Sequence, residues 1–306
     1  MDSQTPSLTP AESRMGSMNN ITNDVPPTSD ETPTPASNDT YILGRSHFSS
    51  SRLNLSHFLW KQVLGFNIHP SIPTSGFKRI VDIATGSAIW PLDVASEFPD
   101  AEVDGFDIAL DQCPPKDFFP RIRKLGTWDI FEDPPEEMQG RYDIVHVRLV
   151  IFVVKNNDPR AIIRNLMKLL RPGGYLQWDE LDLSGSHLER GPGPGAASTS
   201  DFPATAAEKA LKRVQGVSVN HWAANLPAIL AEEGMIQADN DVYIIPPPWA
   251  KMFSDMHLMM ESELPMPTAE ARQQKEKEIA AISAESKRGA MLSTPLMVAV
   301  ARKPLR

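Results

Sequence analysis

The sequence predicts a doubly wound α/β fold with a parallel central sheet. Three observations carry that reading. Strand-length apolar runs alternate with helix-length segments through residues 78–183, the pattern of parallel βαβ units. A turn of small residues follows the first such run in "RIVDIATGSAIW" (79–90), where an open α/β sheet has its binding crevice. A Pro- and Gly-marked stop, "RPGG" (171–174), separates a helical pattern from the next strand-like run.

Along the chain, residues 1–40 are dominated by Ser, Thr, Pro, Asn and Asp and hold almost no large apolar side chains. Such a segment cannot bury enough surface to offset ordering entropy, so a disordered tail is predicted, open to protein partners. Residues 41–75 read as a helical cap, with Leu53, Leu55, Phe58, Leu59 and Val63 at helical spacing and Gly65 at the stop. Residues 76–306 then form the main domain. Strand patterns fall at 78–84, 101–108, 142–153 and 174–183, and helix patterns at 88–99 and 158–174. In the first helix Ala88 opens the apolar periodicity and is read as helical. In the second, Asp158 is placed to cap and Pro159 to occupy the first position. Residues 184–204 read as a loop, within a lid insertion at 184–220, and a helical insertion covers 247–290. Helices are further expected near 202–216 and 221–235, with strands near 237–247 and 294–304.

Composition narrows the function. The net charge of −9 disfavours general nucleic-acid or anionic-membrane binding, which needs a basic face. Cys113 is the single cysteine, so neither an internal disulfide nor a clustered-thiolate zinc site can form. No metal-ligand motif is found, and no metal is expected. Apolar runs such as "LVIFVV" (149–154) are too short to cross a bilayer. No signal-peptide pattern is visible, so a cytoplasmic protein is expected, with the nucleus as the alternative for a regulator.

The turn "ATGSAI" (84–89) holds one glycine, Gly86. Glycine lets a backbone bend or approach a ligand with no Cβ in the way. The next predicted strand ends in Asp107, whose carboxylate can accept from both hydroxyls of a ribose, while Asp104 sits too early in that strand to reach the crevice. A dinucleotide site needs the three glycines of G-x-G-x-x-G for the passage of a pyrophosphate. One glycine favours a ligand with adenosine and no phosphate, of which S-adenosylmethionine is the common case, over NAD.

The stretches "VDIATGSAIWPLDVA", "VDGFDIALDQCP", "GTWDIFEDPPEEMQGRYDIVHVRLV" and "LLRPGGYLQWDE" resemble successive motifs of class I S-adenosylmethionine-dependent methyltransferases. The fungal secondary-metabolism group, which includes tailoring enzymes and a regulator of secondary metabolism, is the most similar. The resemblance covers roughly residues 41–306 and implies a Rossmann-like seven-stranded methyltransferase sheet with helical cap elements. It implies that Asp82, Ala84, Thr85 and Gly86 meet the methionine part of the cofactor and that Asp107 holds the ribose. Ile108, Trp128, Asp129 and Ile130 would line the adenine. Arg148 would face the methionine or substrate end, and Tyr41, Arg52 and Asn54 would close over the cofactor.

Methyl transfer from a sulfonium rests on positioning, with a general base needed for a hydroxyl acceptor. Glu180, at the end of a strand, and His221, on a helix flanking the pocket, are the candidate bases, with His57 flanking it from the other side. His146, inside a strand, reads as a satisfied buried histidine. The expected function is methyl transfer to an O or N, less readily a C, of a small-molecule secondary metabolite. The competing readings are a non-catalytic regulator acting through protein partners and an NAD-dependent oxidoreductase.

Overall fold

The computed structural model describes residues 41–118, 121–191 and 203–306. The tail expected at 1–40 and residues 192–202 of the expected loop lie outside the described residues.

Among the described residues nine strands are formed: β1 (Arg79–Ile83), β2 (Glu102–Asp107), β3 (Ile122–Thr127), β4 (Tyr142–Arg148), β5 (Leu170–Leu181), β6 (His187–Arg190), β7 (Ile236–Tyr243), β8 (Ala290–Ser293) and β9 (Leu296–Arg302). Seven of them make one sheet in the order β3-β2-β1-β4-β5-β9-β7, and β6 pairs with β8. The strands from β3 across to β5 are parallel to one another. Strand β9 is antiparallel to both of its neighbours. The order reverses between β1 and β4, and that switch point opens a crevice beyond the strand ends.

The helices are α1 (His47–Leu64), α2 (Ile89–Glu97), α3 (Arg160–Leu169), α4 (Thr205–Ser218), α5 (Leu226–Glu232), α6 (Pro247–Glu263) and α7 (Ala269–Lys287). None among the described residues is long and apolar enough to cross a membrane. Alternation along the strands divides the core. Val81 and Ile83 of β1 pack with Leu166 of α3 and Leu230 of α5. Ile80 joins Trp60 of α1, Val94 of α2 and Phe253 of α6 on the opposite face. Helix α1 begins at Ser46, whose hydroxyl accepts from the Ser49 amide, and ends at Gly65 in the left-handed conformation (φ 79°), as its spacing predicts.

The structure corrects several boundaries. Strand β4 stops at Arg148 because Leu149 takes φ 53°, so 149–153 leave the sheet for the rim of the crevice. The "RPGG" segment belongs to β5, not to the helix before it. Its register with β4 slips between Leu170 and Tyr175, and a Cβ at Gly174 would lie 3.0 Å from the Tyr142 carbonyl. Asp158 accepts from the Arg160 amide (3.1 Å), and Pro159 precedes the helix instead of opening it. Residues 187–190 of the expected loop form β6. Ala88 is not helical: it precedes α2 with φ 60° and ψ 18°.

Candidate active site

The crevice at the switch point is lined from four strands. From β1 comes Asp82, and after it Ala84, Thr85 and Gly86; from β2 comes Asp107, and after it Ile108; after β3 come Trp128, Asp129 and Ile130; and from β4, Arg148. Tyr41 reaches it from the N-terminal segment. Leu53 and His57 of α1 line it as well, together with Arg45, Trp90, Phe131, Phe152 and Lys155. Sequence reasoning overlooked Arg45, Leu53, Trp90, Phe131, Phe152 and Lys155 as wall residues. A signal existed for α1, since Leu53 and His57 are four apart and share a helix face.

The turn after β1 is unusual in its backbone. Ala84 (φ 56°), Gly86 (φ 57°) and Ala88 (φ 60°) are all left-handed. Neighbouring strands pin it. The Thr85 amide donates to the Phe106 carbonyl (3.1 Å), and the Gly86 amide donates to Asp107 Oδ2 (2.8 Å). Asp107 Oδ1 accepts from the Ala109 amide (3.2 Å). Burial pushes the Asp107 carboxyl above its ordinary range, against the opposing pull of those amides. Gly86 has steric reason to be glycine beyond its φ. A Cβ there would stand 3.0 Å from Leu53 Cδ1, because α1 lies over the turn. Ser87 Oγ donates to Asn54 Oδ1 (2.7 Å), and Gln112 donates to Ser50 Oγ (3.2 Å), so α1 is fastened on both sides of the turn.

Beneath the turn runs a buried chain of charges. Register places Asp82 of β1 beside His146 of β4, and Arg148 of β4 beside Asp179 of β5. His146 Nδ1 lies 2.6 Å from Asp82 Oδ1, and Nε2 lies 3.1 Å from Asp179 Oδ2. Arg148 donates to Asp179 Oδ2 through Nε (3.0 Å) and Nη2 (2.9 Å). Thr85 Oγ1 donates to Asp82 Oδ2 (2.6 Å), completing the link to the turn. Burial would raise the Asp179 carboxyl, but His146 and Arg148 outweigh it and hold it below the usual range. At the far end, His57 Nε2 lies 3.0 Å from Asp93, which also accepts from Lys61 and Asn67. Burial and the nearby Arg148 push the His57 imidazole down to about 4, over the opposing pull of Asp93, leaving it neutral near pH 7.

Three predicted site residues lie elsewhere. Arg52 turns to α6 and makes a two-pronged pair with Glu263 (2.8 and 3.2 Å). Glu180 fails by strand parity: Gln177 and Asp179 point to the α1 side, and Glu180 shares the other face with Trp178. It is fully buried and pushed up to about 8 by burial, with Oε2 lacking a hydrogen-bond partner among the described residues. His221 is the cap residue of a short 3₁₀ turn, its ring nitrogen accepting from the Ala223 amide (3.3 Å), outside the crevice. Asp104, the weaker ribose candidate, is buried under Arg123 and the Tyr142 hydroxyl.

An adenosine-bearing sulfonium cofactor fits these walls. A glycine cradle that a Cβ would fill faces an acid at the next strand tip, and the indole N–H groups of Trp90 and Trp128, both wall residues, have no hydrogen-bond partner among the described residues. A family model described as a methyltransferase domain matches residues 67–229, more than half of the chain. Among curated proteins, the methyltransferase grgD of Penicillium sp is 33% identical over 152 residues, 46% of this chain and 52% of that protein. The N-methyltransferase verN of Clonostachys rogersoniana is 33% identical over 140 residues, 45% of this chain and 49% of that one. The secondary metabolism regulator laeA of Coprinopsis cinerea is 33% identical over 111 residues, 34% of this chain and 25% of that protein. The chain thus spans about half the length of the first two relatives. With its reversed seven-stranded sheet, one-glycine turn and strand-tip acid, the chain belongs to the methyltransferase domain family.

Proposed function

We propose that this protein methylates a nitrogen or oxygen of a small secondary metabolite, in a reducing compartment such as the cytoplasm. The observation that carries the reading is the turn from Ala84 to Ala88, held against Asp107 by the Gly86 amide. Ala84, Thr85 and Gly86 would meet the methionine part, and Asp107 would take the ribose. Ile108, Trp128, Asp129 and Ile130 would enclose the adenine. Arg148 would face the methionine end and Tyr41 would close the entrance. The bound cofactor supplies an electrophilic methyl group on a good leaving group. The chain's own contribution is to exclude water with α1, to orient the acceptor along the wall of Leu149, Val150 and Phe152, and to accept a proton. Glu180 and His221 do not line the crevice, so of the candidate bases His57 is the one placed for that last task, and with Nε2 on Asp93 and Nδ1 facing Arg148 it would need Arg148 to turn away before it could accept a proton.

The test is transfer of an isotope-labelled methyl group to a panel of small amines, amides, phenols and carboxylic acids, read as a one-methyl mass shift. Transfer to a member of the panel, lost in Gly86→Val, supports the reading. Cofactor binding with no transfer to any acceptor class supports the regulator reading instead.

A further inference from the structure

His146 is fully buried at the centre of the charge chain, its ring stacked on Trp90 at 3.8 Å with 2° between the planes. Each ring nitrogen faces a different carboxylate, Asp82 at 2.6 Å and Asp179 at 3.1 Å. A neutral imidazole has one N–H to give, so two carboxylate partners are both served only when both nitrogens carry protons. The remaining carboxylate oxygens already have donors: Thr85 on Asp82 Oδ2, and Gln177 on Asp179 Oδ1 (3.0 Å). The four side chains Asp82, His146, Asp179 and Arg148 then alternate in sign and sum to zero charge.

We propose that His146 is the positioning residue of the cofactor turn: as an imidazolium anchored on Asp179, it fixes the Asp82 carboxylate, which holds the Thr85 hydroxyl and so sets the backbone from Ala84 to Gly86 against the ligand. The proposal rests on reading the crevice as the S-adenosylmethionine site. The charged groups around the ring are Asp82 from β1, Arg148 from β4 and Asp179 from β5, while α2 contributes the uncharged Trp90. His57 of α1 reaches the set through Arg148, at 3.4 Å. Burial by itself would lower the imidazole, but Asp179 and Asp82 outweigh it and hold it above its ordinary value. Losing the Nδ1 proton takes from Asp82 Oδ1 the ring donor it faces and frees the Asp82–Thr85 link to rearrange, while losing the Nε2 proton sets that nitrogen's lone pair against Asp179 Oδ2, which Arg148 alone then serves.

The experiment is calorimetric titration of the full chain with S-adenosylhomocysteine from pH 6 to 9, for the wild type and His146→Gln, with nitrogen NMR of labelled histidine in the wild type. Both His146 ring nitrogens are expected to be protonated at pH 7. His146→Gln should bind about tenfold more weakly or worse, on the scale of one charge-assisted hydrogen bond. Wild-type affinity should fall as pH rises through the titration of the imidazolium, and the variant should lack that component, while the ligand's own ammonium contributes equally to both. A neutral His146 tautomer at pH 7, or equal affinities with superimposable pH profiles, overturns the proposal. If His146→Gln does not fold, the NMR state and pH profile of the wild type decide alone. A wild type that binds no S-adenosylhomocysteine overturns the cofactor reading itself, and the proposal with it.

Discussion

The Gly86 amide donates to the Asp107 carboxylate across 2.8 Å, joining the turn after β1 to the tip of β2. The other Asp107 oxygen accepts from the Ala109 amide, so the acid is oriented by backbone on both sides. Each carboxylate oxygen can accept more than one hydrogen bond, which leaves capacity for a diol. The residue that would select the ribose therefore also shapes the turn that would meet the methionine, and one substitution should disturb both.

Asp107→Ala is expected to weaken S-adenosylhomocysteine binding by about a hundredfold, since hydrogen bonds to a charged group are each worth about 1.5–3 kcal/mol. Asp107→Asn keeps an acceptor for the Gly86 amide and should fall between. Calorimetry measures both, and an unchanged affinity in Asp107→Ala removes the ribose assignment.

Ala88→Gly should stabilise the protein. A left-handed alanine costs about 1–2 kcal/mol, which outweighs the loss of one buried methyl at about 0.8 kcal/mol. A net gain of about 0.2–1.2 kcal/mol is expected in urea unfolding, with cofactor affinity retained or improved. A loss of about 1 kcal/mol, the cost of glycine inside a helix, would mean that Ala88 is helical in solution.

Glu180 makes stability depend on pH. Burial pushes its carboxyl up to about 8 in the folded chain, whereas the unfolded chain releases that proton near its ordinary value of 4.5. Between these values the folded state holds the extra proton, so this residue's contribution to stability declines as pH rises from about 4.5 to about 8. Glu180→Gln removes the decline. Its melting temperature should gain on that of the wild type from pH 5 to pH 9, by the equivalent of about 4 kcal/mol. A constant difference across that range would show that Glu180 is ionised in the folded protein.

Much of this architecture was legible in the residues. Strands β1, β2, β5 and β9 and helices α1, α6 and α7 follow from apolar periodicity and punctuation, and Gly86 and Asp107 follow from where a strand ends. Other features leave weaker traces. Strand β3, "IRKLGT", is half polar because it lies at the sheet edge, so its pattern does not stand out. Glu180 looks well placed as a strand-end acid, but one residue of parity sends it to the far face. Ala88 is the helix former that periodicity favours, and its left-handed backbone is set by the turn's tertiary bonds rather than by its own propensity. Arg52 carries the charge a cofactor carboxylate would want, and its partner, Glu263, lies 211 positions away.

That pair gives a fourth expectation. The Arg52 and Glu263 side chains are each 8% exposed, so removing one leaves the other charged and largely desolvated. Arg52→Ala or Glu263→Ala should each destabilise by about 3–5 kcal/mol, and the double variant by much less than their sum. Denaturant unfolding of the three variants measures the coupling, and simple additivity would show that the pair is open to water.

The most direct test is one calorimetric series, with S-adenosylhomocysteine and NAD titrated into the wild type and Gly86→Val. A valine at 86 must adopt φ near 57° and push into Leu53, so the turn cannot keep its shape against a ligand. The expected result is saturable binding of S-adenosylhomocysteine but not NAD by the wild type. Gly86→Val should bind neither while keeping a native circular dichroism spectrum. Wild-type affinity for S-adenosylhomocysteine in a folded Gly86→Val protein would contradict the account, because the turn after β1 would then be an ordinary connection between a strand and a helix.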